Sequence, residues 1–208
     1  MTLKLLLASR NQHKIEELQQ MLADLNIKVI SLNDVSGAPV IEEDGQTFSE
    51  NASKKARLTA MYTGFTCLAD DSGLVVDALG GQPGIYSARF AGEEADDQKN
   101  NRKLLQMLQG LDAEKRQARF ICVIAISDPR GNVCTVEGKC EGRIDYKERG
   151  TGGFGYDPLF IPDGYTRTFG EFSSEEKNRI SHRGQALLKA RTLLEQKFIG
   201  VSGNGLII

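Results

Sequence analysis

Histidine and cysteine are scarce in this sequence, and neither is spaced for a metal. There are two histidines, His13 and His182, and four cysteines, Cys67, Cys122, Cys134 and Cys140, with no C-x-x-C pair. That argues against a zinc site. Cysteines scattered through apolar runs are expected to be reduced core residues of a cytoplasmic protein. No apolar stretch approaches the ~20 residues needed to cross a bilayer. The opening MTLKLLLASRNQ has too short an apolar core for a secretory signal and reads as a first strand. An excess of one charge is also missing. Lys and Arg total 26 against 28 Asp and Glu, a net charge of −2. No basic field therefore recruits nucleic acid or an anionic membrane, and an anionic ligand has to be held by a local cluster of cations. Repeats, low-complexity segments and clean linkers are absent as well.

What remains is 208 residues of ordinary soluble composition, 40% hydrophobic and 26% charged, enough for a substantial core. Leu3 to Ala8 reads as a buried strand. Ile15, Leu18, Leu22 and Leu25 then recur at helical spacing, and IKVISL follows as a second strand. Thr47 and Glu50 have capping-box spacing ahead of a helix through ENASKKARLTAMY, and FTCLAD is a strand expected to end at Asp70-Asp71. DDQKNNRKLLQMLQGL is an amphipathic helix stopped by Gly110. ARFICVIAIS and NVCTVEGKCEGRI are strands joined at the turn Asp128 to Gly131. Ser173 and Glu176 again have capping-box spacing, and a last helix covers about SHRGQALLKARTLLEQKF. The ending IGVSGNGLII is either a tail or a pairing strand. The pattern predicts one continuous α/β unit with two lobes.

Four segments can carry chemistry. ASRNQHK lies at a strand-to-helix turn, where backbone N–H groups and the helix dipole favour an anion. Ser9 and Asn11 can donate to phosphate oxygens, and Lys14 sits in the first turn. It is not a Walker A loop, and the competing reading is that Ser9 or Asn11 merely caps the helix. The second segment sets Asp70 and Asp71 against Glu42, Glu43 and Asp44. Neighbouring strand residues point to opposite faces, so both aspartates reach one site only if Ser72-Gly73 bends the chain. One aspartate and one glutamate suffice for Mg²⁺, which keeps waters and substrate phosphates as its other ligands. The alternative is a plain Asp-capped turn. In GTGGFGYDP, glycines permit close backbone approach and Phe154 offers a ring face, or else anchors a turn. In EEKNRISHRGQ, Ser181, His182 and Arg183 bring donors to a helix start with Lys177 one turn away. By default the lone histidine is structural, and EEKNR, like Lys55, belongs to a solvated helix face.

Together and in this order, the segments resemble the inosine/xanthosine triphosphate pyrophosphatase family. The resemblance runs from LLLASRNQHKIEEL through EEDGQTFSENASKKA, LADDSGLVVDALGGQPGIYSARFAG and GTGGFGYDPLF to EEKNRISHRGQAL. It implies an α/β fold with a mixed, elongated central sheet flanked by helices, in two lobes with a cleft between them. Residues 1–200 would form this domain and 201–208 a C-terminal tail. The implied activity is Mg²⁺-dependent hydrolysis of ITP, dITP and XTP to the monophosphate and pyrophosphate, cleansing the nucleotide pool.

The resemblance also implies residue roles. Ser9, Arg10, Asn11, Gln12, His13 and Lys14 would hold the triphosphate, with Ser9, Asn11 and Lys14 in direct contact and Lys55 on the phosphate side. Glu42 and Asp71 would hold Mg²⁺, with Asp71 as general base and Ser72 beside it. Phe154, Gly155, Tyr156 and Asp157 would meet base and sugar, and Lys177, His182 and Arg183 would complete base recognition. The sequence departs from the family at Ser9-Arg10, where Thr-Gly or Thr-Thr is more usual; Ser9 keeps the hydroxyl, while Arg10 is bulkier. A homodimer is expected by analogy, with no nucleic-acid or membrane partner. The rival readings are a pyrophosphatase for modified pyrimidine triphosphates and a nucleotide-binding module that does not hydrolyse.

Overall fold

A computed structural model describes residues 2–94 and 96–199. The apolar opening forms strand β1 (Leu3–Leu7), which pairs in parallel with β2 (Ile27–Ser31) on one side and β3 (Thr66–Val76) on the other. Paired on both edges, its Leu5, Leu6 and Leu7 are fully buried, as the near-continuous apolar run of an interior parallel strand requires. Between β1 and β2, α1 (Gln12–Met21) buries Ile15 and Leu18, and Leu22 just beyond its end.

Helix α2 (Phe48–Thr63) starts at Thr47, whose Oγ1 accepts from Glu50 N at 3.1 Å. The return half of the expected box is displaced by one residue, since the Glu50 carboxylate takes the N–H of Gln46. Helix α3 (Asp97–Met107) ends three residues before the Gly110 stop. Strands β4 (Gln117–Ser127) and β5 (Val133–Ile144) are joined by the expected turn, with Asp128 Oδ1 accepting from Arg130 N and Asn132 N. The short strand β6 (Phe160–Pro162), which no sequence pattern suggested, pairs antiparallel with β5. Helix α4 (Ser174–Ile180) has its full capping box at Ser173 and Glu176. The last helix is not uniform: α5 (His182–Leu194) gives way to a π-helical turn at Glu195–Ile199. The whole is a mixed six-stranded sheet, order β2-β1-β3-β4-β5-β6, with flanking helices. The expected tail, 201–208, lies outside the described residues.

The chain divides into two compact units. One holds residues up to Asp71, Val123–Glu137 and the segment from Ala186 on; the other holds Ser72–Cys122 and Gly138–Gln185. In the first, Leu6, Ala60 and Cys67 form a core with Ile30, Leu32, Val35 and Phe65 against it. In the second, Leu74, Leu104, Leu108, Phe120, Phe160, Phe169 and Phe172 belong to one core, with Phe120 and Phe160 edge to face at 4.7 Å. Arg116, 2% exposed, donates to Leu108 O, Ile144 O and Asp145 O. It thereby satisfies a carbonyl at the C-terminus of α3, where a cation is favoured. Three of the four cysteines are buried as expected, and burial pushes the thiols of Cys67 and Cys140 up to about 12. Cys134 is half-buried and lies 3.0 Å from Lys197 Nζ.

Candidate active site

Beyond β1, the chain turns through Ser9 to Asn11 into α1. Asn11 is the N-cap: its Oδ1 accepts from Lys14 N at 3.3 Å, while Ser9 Oγ accepts from Asn11 N at 3.1 Å. Asn11 therefore caps the helix, as the plainer reading held, and Ser9 closes the turn just before it, so that the two fix the turn that presents the helix start. The first turn of α1 contains no acid of its own, which leaves its positive end open to an anion apart from the Asp70 carboxylate on Lys14. Arg10, Gln12 and His13 are exposed on the turn. The Lys14 ammonium reaches Asp70 Oδ2 at 2.7 Å, and that carboxylate is 4% exposed.

Strand β3 does not end at the aspartates. It runs unbroken through Ser72 and Gly73 to Val76, and the bend that would bring both aspartates to one site is absent. Sheet alternation therefore holds: Asp70 meets Lys14 of α1, whereas Asp71 meets Asn51 of α2. Ser72 follows Asp71, half-buried in the strand. The adjacent acids thus do separate jobs, one pinning a lysine at the helix start and the other facing α2.

Asn51 is the residue that sequence reasoning missed. It is 2% exposed, donates through Nδ2 to Asp71 Oδ2 at 3.0 Å and accepts through Oδ1 from Gly45 N at 2.8 Å. One buried amide therefore joins the acidic loop to the strand acid. Position 45 must be glycine, since a Cβ there would meet Asn51 Oδ1 at 2.7 Å. Two ion pairs lay the same loop along α2: Glu43 with Lys55 at 2.5 Å and Asp44 with Lys54 at 2.6 Å. Lys55, expected on the phosphate side, thus contacts the loop. Glu42 is exposed and makes no hydrogen bond or ion pair among the described residues. The signal for Asn51 was its place one turn into α2, a polar residue at a core-facing position of SENASKKA.

The glycine-rich loop is built around Asp157, which is 2% exposed. Its Oδ2 accepts from Phe154 N at 2.8 Å and from Lys177 Nζ at 2.5 Å. Burial raises the Asp157 carboxyl above its ordinary value, against the pull of the Lys177 ammonium. Gly153, at φ +74°, leaves the room: a Cβ there would lie 2.0 Å from Asp157 Oδ2. Lys177 Nζ also lies 4.5 Å from the centroid of the Phe154 ring, itself 69% exposed. Gly155 gives its N–H to Asp97 Oδ2 at 2.7 Å and its carbonyl to Asn101 Nδ2 at 3.2 Å. Tyr156 is buried and its hydroxyl donates to Ser87 O at 2.8 Å; with Asp157 it anchors the loop from inside. Ser181 closes α4 and accepts from Gly184 N. His182 is mostly buried, its ring stacked on Phe120 at 4.6 Å, and Arg183 beside it is half-exposed.

An exposed aromatic beside a cation, a capped helix start without acids and a carboxylate tied to an acidic loop are the order of features that the motifs carried. The model of the Ham1 family matches residues 5–193. The chain belongs to the Ham1 family. It is 52% identical to a dITP/XTP pyrophosphatase of Desulforamulus reducens over 95% of this chain and 98% of that protein. It is 50% identical to one of Bacillus licheniformis, covering 93% and 98%. Among solved structures, a HAM1 protein from Coxiella burnetii superposes with a TM-score of 0.88 at 45% identity, covering 93% of this chain and 99% of that one.

For a Ham1 chain the question of metal is one of donors. Among the described residues no group of three or more His, Cys, Asp or Glu could form a metal cage. The acids available, Asp71 and the 42–44 loop, offer oxygen alone, the donor set of a hard cation that takes one or two carboxylates and completes its shell with water and phosphate. The Asn51 amide joins Gly45 of that loop to Asp71, and Glu43 and Asp44 are paired with Lys55 and Lys54, which leaves Glu42 and Asp71 as oxygen donors of the kind Mg²⁺ takes. No helix among the described residues is long and apolar enough to cross a membrane.

Proposed function

We propose that this Ham1 protein hydrolyses dITP, XTP and ITP to the nucleoside monophosphate and pyrophosphate, and so clears non-canonical purines from the nucleotide pool. The observation that carries the mechanism is the Asn51 amide linking Gly45 of the acidic loop to Asp71. A binding module has no need to hold a buried acid against an acidic loop. Relatives of about half-identical sequence bear the name dITP/XTP pyrophosphatase.

Glu42 and Asp71 would hold magnesium, which when bound offsets phosphate charge and favours the pyrophosphate leaving group. The start of α1, with Ser9, Arg10, Asn11, Gln12, His13 and Lys14, receives the triphosphate on backbone N–H groups and cationic side chains; Lys55 adds charge at its other edge. Asp71, with Ser72 beside it, takes a proton from the attacking water. The water oxygen bonds to the α-phosphorus, the bond from that phosphorus to the bridging oxygen breaks, and pyrophosphate departs. Positioning and charge neutralisation supply most of the acceleration, as in phosphoryl transfer generally.

Phe154 stacks on the purine, Gly155, Tyr156 and Asp157 shape the loop around it, and Lys177, His182 and Arg183 donate to the C6 oxygen. Hypoxanthine and xanthine accept at C6, whereas adenine donates there and would leave those donors unmet; guanine also accepts at C6, so GTP is rejected at its 2-amino group, by a clash or an unpaired donor. Sites of this kind discriminate by ~10⁴–10⁵-fold. The protein works as a cytoplasmic homodimer. Pyrophosphate release measured with Mg²⁺ across dITP, XTP, ITP, ATP and GTP tests the proposal: the first three are expected to turn over far faster. Equal rates with all five, or binding without turnover, would count against it.

A further inference from the structure

Phe154 has an exposed ring on a tied-down backbone: Asp157 holds its own peptide groups, and α3 holds those of the next residue. Its own N–H is held by Asp157 Oδ2. The next residue, Gly155, has both backbone groups taken from one side: Asp97 Oδ2 accepts its N–H at 2.7 Å and Asn101 Nδ2 donates to its carbonyl at 3.2 Å. Asp97 and Asn101 are one turn apart and so share a face of α3. The helix is a firm platform. Leu104 is fully buried, and Asn100 accepts from Ala91 N at 2.6 Å and donates to Ala88 O at 3.0 Å.

The Asn101 amide is oriented at its own expense. It is 3% exposed, and its Oδ1 has no hydrogen-bond partner among the described residues. Unmet buried acceptors are uncommon and call for a reason. Here the reason is the other end of the amide, which faces Gly155 O. Asp97 likewise turns its carboxylate to a loop N–H and not to a lysine or arginine.

We propose that Asp97 and Asn101 are positioning residues for base recognition, clasping Gly155 so that the Phe154 ring is held in a stacking pose. This rests on the reading that Phe154 meets the base. Without the clasp, a glycine-flanked residue at the surface swings, and the base loses its platform while the phosphate-binding turn at α1 is untouched.

The test is calorimetric titration of Asp97→Ala, Asn101→Ala and Asp97→Asn with inosine monophosphate and, separately, with tripolyphosphate, which has no base. Both alanine variants are expected to bind inosine monophosphate on the order of tenfold more weakly, with tripolyphosphate affinity unchanged. Asp97→Asn keeps an acceptor for Gly155 N–H and should bind like wild type. Asn101→Asp, equal in size but without the donor, should weaken inosine monophosphate binding as alanine does and serves if the alanine variant does not fold. Unchanged inosine monophosphate affinity, equal loss of both ligands, or a wild type that binds no inosine monophosphate would overturn the clasp. Wild-type turnover of dITP is scored separately: its failure removes the proposed reaction, and the ratio of inosine monophosphate affinities still judges Asp97 and Asn101.

Discussion

Asn51 Nδ2 lies 3.0 Å from Asp71 Oδ2, and the same side chain receives Gly45 N–H at 2.8 Å. The amide thus joins the acidic loop to the strand acid through one buried side chain. Asn51→Ala would strand Gly45 N–H and remove a donor from Asp71. Stability is expected to fall by about 1–3 kcal/mol, and the Mg²⁺ concentration for half-maximal turnover should rise. Urea unfolding and a magnesium titration read the two effects; a variant normal in both would separate Asn51 from the site.

Asp71→Asn keeps the shape of the side chain and its place in β3. The fold should survive, by circular dichroism, while kcat falls by about 10²–10⁴-fold. Near-normal turnover would remove Asp71 as the base.

Phe154→Ala deletes a ring that is 69% exposed, so little stability should be lost. Stacking of ~1–3 kcal/mol per base predicts a rise in KM for dITP of about 5- to 150-fold, with kcat less affected. A KM unchanged within twofold would place the base elsewhere.

The Asp157 carboxyl is raised above the ordinary value of 3.8, chiefly by burial. A group whose folded value is raised favours the fold when protonated, and that contribution is lost as pH climbs from 3.8 through the raised value. Lys177 opposes this by stabilising the carboxylate. Lys177→Met should therefore lose more stability, relative to wild type, at pH 7 than at pH 5. Thermal melts at the two values check it, and an equal loss at both would contradict the assignment.

Arg116→Met removes three donors to buried or half-buried carbonyls. Unfolding free energy is expected to drop by about 3 kcal/mol, measured by urea denaturation, whereas a change below about 0.5 kcal/mol would make Arg116 an ordinary surface charge.

Much of this was legible in the sequence, because the signals were local. The run Leu3 to Leu7, the caps at Thr47 and Ser173 and the Asp128 turn each declare themselves within a few residues. What escaped notice depended on partners distant in the chain. Two aspartates followed by Ser-Gly look like a turn that ends β3, yet Lys14, 56 residues away, and Asn51, 20 away, compensate the two acids and let the strand continue. Three-residue β6 is defined by its pairing with β5 and not by any period of its own. Asn51, Asp97 and Asn101 sit on amphipathic helices where a polar residue looks solvated until its partner is placed.

The most direct measurement is hydrolysis of dITP by wild-type protein with Mg²⁺ in ¹⁸O-labelled water, followed by mass spectrometry of the products. Attack at the α-phosphorus predicts one labelled oxygen in dIMP and none in pyrophosphate. Label in pyrophosphate, labelled orthophosphate, or no turnover of dITP would contradict the account.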